Sequence, residues 1–125
     1  MTTQVAVMTT QEVAERLTHL CKQSKWGEAL DELFSEHAVS IEPPGSPAPQ
    51  TVEGLEAIKQ KNKMFESMVE QVHGGYVKGP IVAGNRIALG IGMDATMKGT
   101  GRMNMEEIAI YEVKDGKIVK EQFFF

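Results

Sequence analysis

An α+β fold is the expectation for this 125-residue chain, and the order of its sequence patterns predicts it. Apolar residues recur at helical spacing only in the first half, up to about Met68. From Val69 onward, short strand-like runs alternate with glycine turns. Helices first and a long antiparallel meander afterwards make an α+β layout, not the alternating βα units of a parallel sheet. A third observation concerns function: Glu42, Glu106 and Glu121 fall where the pattern asks for apolar residues. A carboxylate on a core face is costly unless it is paired, protonated or open to a wet cavity. The sequence therefore predicts a pocketed domain.

Residues 1–8 read as a flexible lead-in to a single domain over 9–125. Thr9-Thr10-Gln11-Glu12 is a capping box, with Thr9 as cap and Glu12 reaching back. Val13, Leu17, Leu20 and Cys21 follow at helical spacing and carry a first helix to about Gln23. A second begins near Ser24 or Lys25 and places Trp26, Ala29, Leu30, Leu33 and Phe34 on one stripe, with Glu28, Asp31 and Glu32 on a solvated side. His37 to Glu42 is a brief strand, stopped by the loop Pro43-Pro44-Gly45-Ser46-Pro47-Ala48-Pro49. A third helix is predicted from about Val52 to Met68, with Leu55, Ile58, Phe65 and Met68 inward and Asn62 near that stripe. Gly74-Gly75, Gly79-Pro80, Gly84-Asn85, Gly99 to Gly101 and Asp115-Gly116 read as turns. Gly90 and Gly92 alternate within a strand, a sign of curvature or of another surface approaching closely.

The length suffices for one core without disulfides or metal. A net charge of −4 gives no basic stripe, which argues against nucleic acid and anionic membranes as partners. Cys21 stands alone as a small apolar helix residue, so no internal disulfide is expected. Met1-Thr2-Thr3-Gln4 has neither a basic region nor a long apolar one, and no segment has the length of a membrane span. A cytoplasmic protein is expected. Three histidines and one cysteine have no metal-ligand spacing, and no glycine-rich loop opens a helix as a phosphate cradle. No metal or cofactor is expected.

Register follows from the turns. Asp115-Gly116 as a two-residue hairpin pairs Val113 with Ile118, Ile110 with Glu121, Ile108 with Phe123 and Glu106 with Phe125. A loop at Lys98 to Gly101 pairs Met93 with Glu106, Ile91 with Ile108 and Leu89 with Ile110. One face then carries Ile87, Leu89, Ile91, Met93, Ile108, Ile110, Phe123 and Phe125, with Glu106 and Glu121 set into it as pocket carboxylates. The other carries Ala88, Gly90, Gly92, Asp94, Met103, Met105, Glu107, Ala109, Tyr111, Gln122 and Phe124. It is too apolar to be simply wet, so a homodimer through the sheet is expected. A slip of one residue in either loop would exchange the faces.

The helix pair with Trp26, then HAVSIEPPGSP, EGLEAI, KGPIVAGNR and the closing YEVKDGKIVKEQFFF resemble the SnoaL-like proteins of the nuclear transport factor 2-like superfamily, which includes ketosteroid isomerases and limonene epoxide hydrolases. The resemblance runs from Thr9 nearly to the end. It implies three helices packed in a strongly curved, mostly antiparallel sheet, a cone-shaped α+β barrel with a pocket in its mouth. It also implies that Glu42, at the end of the first strand and before a proline, stands where the isomerases keep their general base. Their oxyanion-binding tyrosine falls at Thr18 here, and their aspartate at Ile108 or Ala109. Neither replacement donates a comparable proton, and that argues against steroid isomerisation. The Asp-Arg-Asp arrangement of the epoxide hydrolases has no match, since Arg86 and Arg102 sit at strand ends. For a cyclase-type acid or base, Asp94 or one of the glutamates is available.

Two functions follow. One is a cofactor-free isomerase, cyclase or hydrolase acting on a small hydrophobic carbonyl compound, with Glu42 moving the proton. The pocket would be lined by Thr18, Asn62, Leu89, Ile91, Met93, Ile108, Ile110, Phe123 and Phe125. The alternative is a ligand-binding or dimerising module of the same fold without chemistry.

Overall fold

The computed structural model describes residues 7–46 and 48–125. Residues 1–6 of the expected lead-in, and Pro47 of the proline loop, lie outside the described residues. The elements are α1 (Thr10–Lys22), α2 (Trp26–Leu33), β1 (Phe34–Ile41), β2 (Thr51–Glu53), α3 (Leu55–Met68), β3 (Val69–Ala83), β4 (Arg86–Met97), β5 (Gly101–Lys114) and β6 (Lys117–Phe124).

The capping box is complete: the Thr9 backbone N–H donates to Glu12 Oε1 at 2.9 Å, and the Glu12 N–H donates to Thr9 Oγ1 at 3.1 Å. Both satisfy amides that a helix start leaves without partners. The acidic side of α2 is exposed but paired, with Arg16 on Glu32 at 2.6 Å and Lys59 on Asp31 at 2.6 Å tying the helices together. Phe34 does not continue α2. It starts β1 and meets the Tyr111 ring edge-on, with centroids 6.4 Å apart. The third helix begins later than its periodicity suggested. Thr51–Glu53 pair with β1 as a short strand, and Gly54 turns the chain into α3 at a φ of 92°.

The six strands form one open sheet in the order β2-β1-β6-β5-β4-β3. Only β1 and β6 run parallel; every other pair is antiparallel. The sheet curves around the helices, with α1 packed across β3 and β4 and α3 against β1. Val13, Leu17 and Leu20 of α1, Leu33 of α2, Ile58 of α3 and Ile87, Leu89 and Ile118 of the sheet form the buried centre. Two of the expected turns are not turns. Gly74-Gly75 and Gly79-Pro80 lie within β3, where the register shifts between Val72 and Gly74 and between Lys78 and Ile81. β3 is an edge strand, and bulges there accommodate glycine and a proline that has no N–H to donate.

The pairing of β5 corrects the register read from the sequence. Met97 pairs with Gly101, so the β4–β5 loop is one residue shorter than expected and Met93 meets Met105, not Glu106. At the other hairpin Val113 does pair with Ile118, but Glu112 then pairs with Lys120, leaving Val119 as an extra residue. This bulge puts Tyr111 opposite Glu121 and Ala109 opposite Phe123. Both differences act on β5, whose faces are exchanged relative to the expectation. Glu107, Ala109 and Tyr111 point inward; Glu106, Ile108 and Ile110 point outward.

Candidate functional site

The inner face can be followed row by row, since paired residues share a face and alternate along each strand. Ser40 of β1, Glu121 of β6, Tyr111 of β5 and Ile87 of β4 make one row. The next holds Phe123, Ala109 and Leu89, with Glu42 just beyond the end of β1 on the Ser40 side. Glu107 and Ile91 make a third. Lys61 enters from α3. The sheet thus brings three carboxylates and one ammonium to an otherwise apolar wall.

Two of the carboxylates and the ammonium are linked through Ser40. Lys61 Nζ donates to Glu42 Oε1 at 3.0 Å and to Ser40 Oγ at 2.5 Å, and Ser40 Oγ donates to Glu121 Oε1 at 2.7 Å. The Lys61 and Glu42 side chains keep 14% and 13% of their surface, enough for a ligand to touch them. Glu121 is buried. Burial pushes its carboxyl up to about 7, and the Glu42 charge adds to this against the opposing pull of Ser40 and Lys61. Glu107 has no hydrogen-bond partner among the described residues. Burial, then the charges of Glu42 and Glu121, raise it to about 7 as well, with Lys61 opposing. The Cys21 thiol is raised to about 12 by burial and by Glu121, which makes it inert as a nucleophile.

Exposure along this face rises in one direction. On β5 it grows from buried Tyr111 and Ala109 through half-buried Glu107 and Met105 to exposed Met103. On α3 the stripe of Ile58, Lys61, Phe65 and Met68 runs from buried to exposed in the same manner. Phe65 and Met68 were expected inward; they lie past the end of the packed core, where the sheet no longer covers the helix. The charged groups therefore sit between an apolar floor and a rim rich in methionine and phenylalanine. Two surface hollows lie elsewhere. One of about 230 Å³ lies on the outer face by Tyr76, Lys78 and Phe124, and one of about 270 Å³ lies between α2 and α3.

The residues expected at the pocket separate accordingly. Glu42, Glu121, Leu89, Ile91, Met93 and Phe123 are on the inner face. Glu106 is on the outer face and accepts a hydrogen bond from the Tyr76 hydroxyl at 3.1 Å, a correction to its reading as a pocket carboxylate. Ile108, 53% exposed, and Ile110 share that outer face for the same reason of register. Phe125 is 68% exposed, outside the inner wall. Thr18 is buried in α1 with its hydroxyl donated to the Ala14 carbonyl at 2.7 Å. Asn62 donates to Glu66 and borders the hollow between α2 and α3, away from the carboxylates.

Sequence reasoning missed Glu107, Lys61 and Ser40. Glu107 was hidden by the slipped register. Lys61 belongs to the stripe of Ile58 and Phe65, and a lysine on an apolar stripe was the available signal. Among the described residues no group of three or more His, Cys, Asp or Glu is arranged to hold a metal ion. No helix there is long and apolar enough to cross a membrane.

The chain belongs to the SnoaL-like domain family, whose model matches residues 8–125. No curated protein matches the sequence. Among solved structures, a protein from Mesorhizobium loti described as a SnoaL-like polyketide cyclase (carbohydrate phosphatase) is 37% identical. The match covers 94% of this chain and 100% of that one, with a TM-score of 0.88. A protein described as an isomerase from Bacillus subtilis is 20% identical over 93% of this chain and 88% of its own, with a TM-score of 0.67. A Catenulispora acidiphila protein with a ketosteroid isomerase-like fold, solved with trimethylamine, is 16% identical over 94% and 87%, with a TM-score of 0.71. The last two share the fold.

Proposed function

We propose that this protein is a cofactor-free enzyme moving a proton on a small hydrophobic carbonyl compound, as an isomerase, cyclase or hydrolase. The observation that carries this reading is the inequality of two carboxylates on one apolar wall. Glu42 forms an ion pair with Lys61, whereas Glu107 has no hydrogen-bond partner among the described residues and is raised to about 7. An ionised base and a protonated acid are then both available at neutral pH, the condition for acid–base catalysis. Glu42 takes the proton and Glu107 returns one. The likeness to a protein described as a SnoaL-like polyketide cyclase supports the same class of chemistry.

The test is deuterium uptake from heavy water by hydrophobic ketones with α-protons, followed by NMR beside a carboxyl titration of the protein. Uptake that is lost in Glu42→Gln and Glu107→Gln is expected. Absence of uptake, with Glu107 titrating like a free glutamate, sinks the reading. The alternative, a binding or dimerising module, draws on the outer face, where Tyr76, Ile81, Ile108 and Phe124 are exposed together. A second copy seated there would form a homodimer through the sheet, and sedimentation velocity of wild type against Ile108→Glu tests it.

A further inference from the structure

We propose that Lys61 is the group that stabilises negative charge on the ligand's oxygen, a role that rests on the proton-transfer reading above. An ammonium has three N–H donors and no acceptor. Two are used, on Ser40 and Glu42. No third acceptor bonds Lys61 among the described residues, and the Phe123 ring lies 5.5 Å from Nζ. The remaining donor is therefore left on the inner face, within reach of a ligand. It is also held in place from behind. Glu42 and Ser40 fix the ammonium, and Glu121 fixes Ser40, so the donor needs little rearrangement when charge develops.

The chemistry calls for such a donor. When Glu42 removes a proton next to a carbonyl, the C–H electron pair forms a C=C bond and the carbonyl pair moves onto oxygen, which becomes anionic. Return of a proton collapses the enolate, and where a further C=C bond is conjugated with it the proton can go to the γ-carbon, which completes a rearrangement. The two positions where the resemblance puts the isomerases' donors are closed here. The Thr18 hydroxyl is engaged with the Ala14 carbonyl, and Ile108 points outward while Ala109 has only a methyl group. Lys61 supplies the donor from α3 instead. The ligand class follows: neutral in its ground state, with a carbonyl or phenolic oxygen that gains charge. A permanent carboxylate would set its second charged oxygen against Glu42, Glu107 and Glu121 on the same wall, whereas a phenolate presents a single oxygen to Lys61.

The experiment is titration with para-nitrophenol, whose ionised form is read by its visible absorbance. Wild type is expected to bind the phenolate in preference to the phenol. Lys61→Met should bind the phenolate about tenfold more weakly or worse, and Lys61→Arg should keep most of the binding. Loss of the cation among carboxylates threatens the fold, so Glu42→Gln/Lys61→Met, which removes both partners, is measured alongside with circular dichroism as the check on folding. Phenolate binding unchanged in both folded variants overturns the proposal, as does a wild type with no preference for the ionised form. The base reading fails separately. Deuterium uptake that survives Glu42→Gln while phenolate binding still depends on Lys61 removes Glu42 as base and leaves Lys61 in its role.

Discussion

Glu106 and Glu107 are neighbours on β5, and the pleat sends them to opposite sides of one sheet. On the outer side Glu106 lies in water and accepts a hydrogen bond from Tyr76, itself 36% exposed. On the inner side Glu107 faces an apolar wall shared with Glu42, Glu121 and Lys61, and is raised to about 7. The residue type is the same, and the difference is desolvation and the charges nearby. The outer face exposes its apolar groups together beside paired charges, such as Arg102 on Asp94 at 2.9 Å. The inner face joins Glu42, Lys61 and Glu121 through Ser40 in one hydrogen-bonded chain, with Glu107 outside it, surrounded by packed side chains. A surface carboxylate of this chain is solvated or paired with a neighbour on the surface, whereas an inner one is a candidate for chemistry.

The comparison is broken most severely by deleting Val119, the extra residue of the β6 bulge. The deletion would turn Glu121 and Phe123 outward, and loss of the cooperative thermal transition is expected. A sharper contrast comes from paired truncations. Leu89→Ala on the inner face should cost about 3 kcal/mol in denaturant unfolding, and Ile108→Ala on the outer face about 0.5 kcal/mol.

Next comes pH. Glu107 and Glu121 have folded-state pKa values raised from 4.5 to about 7, so the native state binds more protons than the unfolded one between those limits. Their contribution is present below the ordinary glutamate range and is lost as pH rises through about 7. Glu107→Gln should therefore stabilise the protein above neutral pH, by on the order of 2 kcal/mol, and flatten the pH dependence of unfolding. Glu106→Gln should stay within about 0.5 kcal/mol over the same range. An equal effect of the two would erase the distinction between the faces.

The last of the structural tests is Gly92→Ala. A methyl group there would run into the Tyr76 ring that lies across Gly92. A cost of about 1 kcal/mol is expected, with loss of the Tyr76–Glu106 hydrogen bond seen in the tyrosine's fluorescence or NMR titration.

Much of this molecule was legible because its signals are local. The Thr9 cap and the α1 stripe depend on residues three and four apart, and the Asp115-Gly116 turn on two adjacent ones. Gly90 and Gly92 signalled curvature or a close approach; at Gly92 the Tyr76 ring of the neighbouring strand does come close, whereas at Gly90 a side chain would make only ordinary contact with Lys78. The site was half legible. Glu42 and Glu121 stood out as carboxylates in apolar surroundings, but Glu107 was assigned outward and Glu106 inward. One short loop and one bulge account for that, and neither has a strong residue signature: Lys98-Gly99-Thr100-Gly101 accommodates either loop length, and Val119 looks like any strand valine.

By itself, the sequence determined the α+β order, the helices' buried stripes, the resemblance to the SnoaL-like family and the surplus of core-directed carboxylates. Those follow from spacing and composition, which act over a few residues. The tertiary structure alone decided which carboxylates meet. The chain from Glu42 through Lys61 and Ser40 to Glu121 joins β1, α3 and β6, segments far apart in sequence. A side-chain period of two makes every such meeting depend on register, and register at β5 rests on one short loop and one bulged residue of β6.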